Sequence, residues 1–169
     1  MNQQIVALLR QNSLFETLTD NELAKVVPAC SLEQVARRTT LFKEGDPATH
    51  LYIIVEGELV LERTVPSHSL LGGTRQTIVR PFGAGQSVAP QSMTADAYTS
   101  SAVTSRSSSV IKVDTAKLRL ILNANPRLGY KFMTQLAQRI ALGTKFLEEA
   151  LIKERDMYIE EVHKRAAHH

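Results

Sequence analysis

With 169 residues, 43% of them hydrophobic, the chain has apolar mass for one sizeable core, and a second independent domain would be cramped. The formal charge is only +3 and the Lys and Arg residues are scattered, which argues against a dedicated nucleic-acid surface, while the single cysteine excludes an internal disulfide framework and any multi-cysteine metal site. No apolar run approaches the ~20 residues of a membrane span and no export pattern opens the chain, so the expected location is the cytoplasm, without a membrane partner.

Residues 1–30 read as a helical lead-in. Ile5, Leu8 and Leu9 lie at helical spacing, and Ser13-Leu14-Phe15-Glu16 offers a Ser-x-x-Glu start to a short helical turn. Thr19-Asp20-Asn21-Glu22 is a second capping box ahead of Leu23, Val26 and Val27, and Pro28 ends that helix. Cys30 reads as a small buried hydrophobe.

Strands are expected at 32–36 and 40–43. The stretch from Leu41 to Leu61 follows, with turn chemistry at Gly45-Asp46-Pro47, a buried strand at Leu51-Tyr52-Ile53-Ile54-Val55, and a turn at Glu56-Gly57 back into Leu59, Leu61 and Arg63. Thr64 to Arg75 reads as an exposed hairpin loop carrying Pro66, His68 and Gly72-Gly73. His68 has no second ligand-type residue at metal spacing and is read as solvated; no metal site is expected. Gln76 to Arg80 is the return strand, and Pro81 to Gly85 supplies the next turn.

From Gln86 to Ser105 there is no Lys, Arg or Glu, and the one charge is Asp96. Hydroxyls are plentiful instead, at Ser87, Ser92, Thr99, Ser100 and Ser101. Ser105, Ser107, Ser108 and Ser109 flank Arg106 in a strand-connecting turn, and none has the His-and-carboxylate context or elbow pattern of a nucleophile. Phosphate-loop and dinucleotide fingerprints do not occur, so no enzymatic activity and no cofactor are expected.

Residues 31–114 thus form the β portion and 115–167 a helical one. Asp114 caps a short helix through Leu118, Leu120, Ile121 and Leu122, and Asn125-Pro126 starts the last helix. That helix has no internal proline to about Arg165, and ~40 residues at 1.5 Å rise extend ~60 Å. Leu136 and Ile140, Leu147 and Leu151, and Tyr158 and Val162 are i,i+4 pairs repeating every eleven residues, which favours a nearly straight helix pair; Gly143 permits close approach or a bend. Glu149/Lys153, Glu160/Lys164 and Glu161/Arg165 support a solvated face. The alternative is a first half packed on its own roll and a second half frayed in water. His168-His169 reads as a remnant of a purification tag.

The Gly45-Asp46 turn, the Tyr52-Ile53 strand and Gly57 before a short apolar strand resemble the start of the β-roll in the cyclic-nucleotide-binding domain family, the sensory module of catabolite-activator-type regulators, protein kinase A regulatory subunits and gated channels. The resemblance covers about residues 14 to 142, and Leu14-Phe15 to Leu23 is similar to the family's helical lead-in. It implies a mainly β fold with flanking helices: a double-stranded β-helix (β-roll or jelly roll) with N-terminal helices and a long C-terminal helix.

The resemblance also locates a phosphate-binding cassette, in which backbone N–H groups and an Arg hold the cyclic phosphate and a Glu accepts from the ribose hydroxyl. Ala89-Pro90 stands where Gly-Glu belongs, Tyr98-Thr99 where Arg-Ser belongs, and the cassette is about two residues short. Each lost charge-assisted bond costs about 1.5–3 kcal/mol, so cyclic AMP and cyclic GMP are not expected as ligands. Two readings remain open. Either the pocket is filled and its hydroxyls satisfy a tight loop, or Ala89, Pro90, Gln91, Ser92, Tyr98, Thr99 and Ser100 hold a different small anion or nucleotide. In family regulators the last helix is the dimer interface, which here assigns Met133, Leu136, Ile140, Leu147 and Leu151 to a homodimer. Transcriptional relatives continue into a winged helix, whereas this sequence stops; the expectation is a regulatory module of signal transduction acting through a protein partner, not nucleic acid.

Overall fold

The computed structural model describes residues 2–66 and 73–166, with side chains omitted at 146, 147, 150, 154, 156–158 and 160–166. The elements are helix α1 (Asn2–Arg10), α2 (Asp20–Val26), β1 (Cys30–Val35), β2 (Thr40–Phe42), β3 (His50–Glu56), β4 (Glu58–Pro66), β5 (Thr74–Gly83), β6 (Ser87–Val88), β7 (Ser101–Thr104), β8 (Ser108–Asp114), α3 (Thr115–Ala124) and α4 (Pro126–Ala166). The strands form two four-stranded antiparallel sheets, ordered β1-β8-β3-β6 and β2-β7-β4-β5, with the chain passing repeatedly between them. This is the mainly β roll with flanking helices that the resemblance implies.

Burial explains why the central strand reads as a continuous apolar run. Tyr52 and Ile54 point into the roll, where they meet Phe42, Leu59, Phe82, Val88, Tyr98, Ala102 and Val110. Leu51 and Ile53 point to the other face, against Leu14, Phe15, Leu23, Val26, Leu118, Phe132 and Leu136 of the helical segments. A sheet covered on both faces selects apolar residues at successive positions rather than at alternate ones. Phe15 and Phe132 close this outer core, their ring centroids 5.2 Å apart.

The helices start where their caps dictate. Thr19 and Glu22 form the reciprocal capping box, and Asp114 Oδ1 accepts from the Lys117 N–H at the start of α3. Glu22 does more, since both its carboxylate oxygens accept from Lys131 Nζ, at 2.9 and 2.8 Å, clamping α2 to α4. That ion pair, helped by the Thr19 N–H, holds the Glu22 carboxyl down at about 2.

Three local expectations are corrected. Asn12, not Ser13, organises the first turn: its Oδ1 accepts from the Leu14 N–H and its carbonyl from the N–H groups of Phe15 and Glu16. The hairpin strands run on through Thr64–Pro66 and from Thr74, because β-branched Thr64 and Val65 extend the pairing with Arg75 and Gln76. At the far end β5 continues through Pro81 to Gly83, and a proline is tolerated there because β5 is an edge strand. Asn125-Pro126 does start α4, the Asn125 carbonyl accepting from the Gly129 N–H, while the Asn125 side chain serves the helix behind it, Nδ2 donating to the Ile121 carbonyl and Oδ1 accepting from Lys25 Nζ. The His68 expectation lies outside the described residues.

Candidate functional site

The segment after β5 builds the cassette-equivalent site from a short strand, a left-handed residue and a tight turn. Ser87 and Val88 pair with Ile53 and Tyr52, which fixes the entry. Ala89 then adopts φ 56° and ψ 44°, left-handed backbone that costs a residue with a Cβ about 1–2 kcal/mol. Pro90 to Met93 form one 3₁₀ turn. Pro90 lacks both an N–H to give a phosphate and a carboxylate to receive a ribose hydroxyl. Ser92 is fully buried, and its hydroxyl donates to the Ala89 carbonyl at 2.7 Å.

Tyr98 and Thr99 part company. The Tyr98 ring is buried inside the roll and stacked on Phe42 with centroids 3.8 Å apart and an interplanar angle of 17°. Its hydroxyl donates to the His50 carbonyl at 2.8 Å and accepts from the His50 N–H at 3.0 Å. Backbone bonds secure the same residue, with Tyr98 N–H donating to the Asp46 carbonyl and Gly45 N–H to the Tyr98 carbonyl. Burial pushes the phenol above its ordinary range, so it is not an acid at neutral pH. Thr99 faces outward instead.

Thr99, Pro90 and Gln91 form one wall of an open cleft of about 490 Å³ whose other walls are Arg80 and Phe82 of β5 and Arg139, Ile140 and Thr144 of α4. The Arg80 guanidinium lies 4.7 Å from the Phe82 ring centroid, a cation–π contact that also orients it. Of the predicted ligand residues, the fold therefore brings Pro90, Gln91 and Thr99 to a common surface. Ala89, Ser92, Tyr98 and Ser100 are buried, with Ser92 and Tyr98 engaged internally. Arg80 and Arg139 escaped the sequence reading because they lie outside the cassette window, inside strand β5 and in the first half of α4.

Asn12 was also missed. It is 1% exposed, donates through Nδ2 to the Gly85 carbonyl at 2.9 Å, and accepts at Oδ1 from Ser87 Oγ at 3.0 Å. The lead-in is thereby bonded to the residues that open the cassette. Among the described residues no group of His, Cys, Asp and Glu is arranged to hold a metal ion. Cys30 is half-buried, donates to the Val26 carbonyl, and has its thiol pushed up to about 12 by burial. It is unreactive as a nucleophile at neutral pH.

The predicted interface residues divide. Leu136 is 1% exposed within the chain's own helical core, so it offers nothing to a second copy. Met133 and Ile140 are partly exposed, Leu151 is 65% exposed, and the side chain of Leu147 lies outside the described residues. No helix among the described residues is long and apolar enough to cross a membrane.

Residues 32–125 match the model of a protein family described as the cyclic nucleotide-binding domain. No curated protein sequence is significantly similar to the chain. Among solved structures, the N-terminal domain of a transcriptional regulator from Streptomyces coelicolor A3(2) is 26% identical, with a TM-score of 0.67 over 83% of this chain and 94% of that one. The sensor domain of the transcriptional regulator DNR from Pseudomonas aeruginosa is 18% identical, with a TM-score of 0.68 over 85% and 93%. The regulatory domain of Toxoplasma gondii PKA, solved with cAMP, is 21% identical, with a TM-score of 0.61 over 71% of this chain and 44% of that one.

Proposed function

The chain belongs to the cyclic nucleotide-binding domain family, whose domains are regulatory and sensory modules, and from that premise we propose that it is a non-enzymatic regulatory module that has given up the usual nucleotide contacts and acts through a protein partner. The observation that carries this reading is the state of the cassette. The phosphate-binding window holds no cation, and Tyr98, where the Arg is expected, is anchored in the roll by Phe42 and by both backbone groups of His50. A cyclic phosphate entering there meets a left-handed Ala89, a Pro90 without an N–H, and an acidic Asp96. Isothermal titration with cyclic AMP and cyclic GMP tests this directly; saturable binding at micromolar concentrations sinks it.

The partnership we propose includes a second copy along α4. The helix is 41 residues long, about 60 Å at 1.5 Å per residue, and exposes Ile140, Leu142, Leu151, Ile152 and Ile159. Truncation after Gly143 should yield a monomer by light scattering, and an unchanged oligomeric mass counts against the interface.

A second reading draws support from the cleft. Arg80 and Arg139 both line it, as do Gln91 and Thr99, a donor set suited to a small anion other than a cyclic nucleotide. Mass spectrometry of the purified protein under non-denaturing conditions tests for such a ligand. An Arg139→Gln variant that retains it at full occupancy rejects this assignment.

A further inference from the structure

Two turns bonded to each other bring three arginines together. The β1–β2 turn carries Arg37 and Arg38, and the β7–β8 turn carries Arg106; all three are exposed. Arg37 Nε donates to the Ser105 carbonyl at 3.0 Å and the Arg38 N–H donates to the Thr104 carbonyl at 2.7 Å, so the turns are bonded to each other. Among the described residues none of the three forms an ion pair with a carboxylate. Glu58, the acidic side chain bonded into this corner, is turned onto Ser105 Oγ instead.

Arg38 has φ 64°, left-handed backbone in which a residue with a Cβ is strained and glycine is not. The strain is held by Thr104, a fully buried side chain whose hydroxyl accepts from the Thr39 N–H at 2.8 Å and donates to the Ala36 carbonyl at 2.6 Å. The turn is thus over-determined around a position where glycine would fit with less strain, yet the side chain present is a cation projecting into solvent. Strain retained at an exposed charged residue motivates a search for function at that residue.

We infer that Arg37, Arg38 and Arg106 form a docking surface for an acidic protein segment. The inference deepens the partner-mediated reading and rests on it. Three guanidinium groups on two cross-bonded turns match a short run of carboxylates in both charge and planar hydrogen-bonding geometry. The patch is too small for the repeated phosphates of a duplex. Among the described residues the large exposed apolar side chains lie on β5, α3 and α4, and none belongs to these two turns to insert into a lipid surface.

The test uses the full chain and a short fluorescein-labelled poly-glutamate peptide, followed by fluorescence anisotropy at low salt. The parent should bind the peptide and release it as salt rises. The double variant Arg38→Gly/Arg106→Gln should bind about tenfold more weakly, a change in binding free energy of about 1.4 kcal/mol. Arg38→Gly alone should melt no lower than the parent, which separates loss of the surface from loss of the fold. Failure of the parent to bind, unchanged binding by the double variant, or tighter arginine-dependent binding to duplex DNA or phosphatidylserine vesicles would each overturn the inference. The cyclic nucleotide titration judges the underlying reading separately: nucleotide uptake alongside arginine-dependent peptide binding rejects that reading and keeps the surface, and absence of both does the reverse.

Discussion

Tyr98 decides whether the cassette is a structural element or a ligand wall, and two substitutions there separate the possibilities. Tyr98→Phe keeps the ring on Phe42 and removes only the hydroxyl, leaving the His50 N–H and carbonyl without the partners they have at 3.0 and 2.8 Å. Two neutral hydrogen bonds contribute about 0.5–1.5 kcal/mol each, so the loss should be about 1–3 kcal/mol. Tyr98→Ala also empties the volume beside Phe42, and removal of a buried aromatic costs about 3–5 kcal/mol before the lost hydroxyl is counted. For a chain of this size 1 kcal/mol moves the melting temperature by about 2–4 °C, giving a fall of about 2–12 °C for Phe and a larger one for Ala. Thermal melts followed by circular dichroism and urea midpoints read both values. If Tyr98→Ala melts within a degree of the parent, the ring is not a core element and the filled-pocket account fails.

Other substitutions probe the scaffold around the site. Gly57 and Gly45 share positive φ, at 92° and 87°, but a Cβ at Gly57 would come within 2.7 Å of the Ser107 carbonyl and the Ser108 Cα, whereas one at Gly45 meets nothing within 4 Å. Gly45→Ala should therefore cost about 1 kcal/mol in urea unfolding and Gly57→Ala at least 3 kcal/mol; equal losses would contradict the steric argument. Lys131→Met removes the clamp on Glu22, whose folded value of about 2 lies below its ordinary 4.5. A depressed carboxylate stabilises the fold above the unfolded value and loses that contribution as pH falls through the folded one. The parent's advantage over Lys131→Met, about 1–2 kcal/mol for this largely covered surface pair, should be constant above pH 5 and shrink from pH 4.5 towards 2. Asn12→Ala leaves the Gly85 carbonyl and Ser87 hydroxyl without their partner, so hydrogen exchange should accelerate first in the Gly85–Ser87 and Leu14–Glu16 backbone; acceleration confined to α1 would contradict the latch.

How much of this was legible follows from the range of each interaction. The capping box at Thr19 and the N-cap at Asp114 are local, and their donors lie within three residues, so the spacing alone declares them. The strand at Leu51–Ile54 was legible because burial on both faces writes itself as unbroken apolar sequence. The orientation of Tyr98 against Thr99 was not, since a one-residue difference in loop register exchanges inside for outside and only the Phe42 stack and the His50 bonds settle it. Arg80 and Arg139 meet at one cleft only after β5 and α4 have been placed, and no local pattern links them. The bonds from Asn12 to Gly85 and Ser87 have the same long reach. Leu136 looked like half of an interface pair because helical periodicity reports that a face is apolar without saying which core it joins.

The central claim is that a roll of this family persists here without its usual ligand contacts. Titration of the purified 169-residue chain with cyclic AMP, and separately with cyclic GMP, tests it most directly by calorimetry. The account predicts no saturable heat for either nucleotide at micromolar concentrations. A saturating single-site isotherm in that range would show that the cassette still captures a cyclic phosphate, and would contradict it.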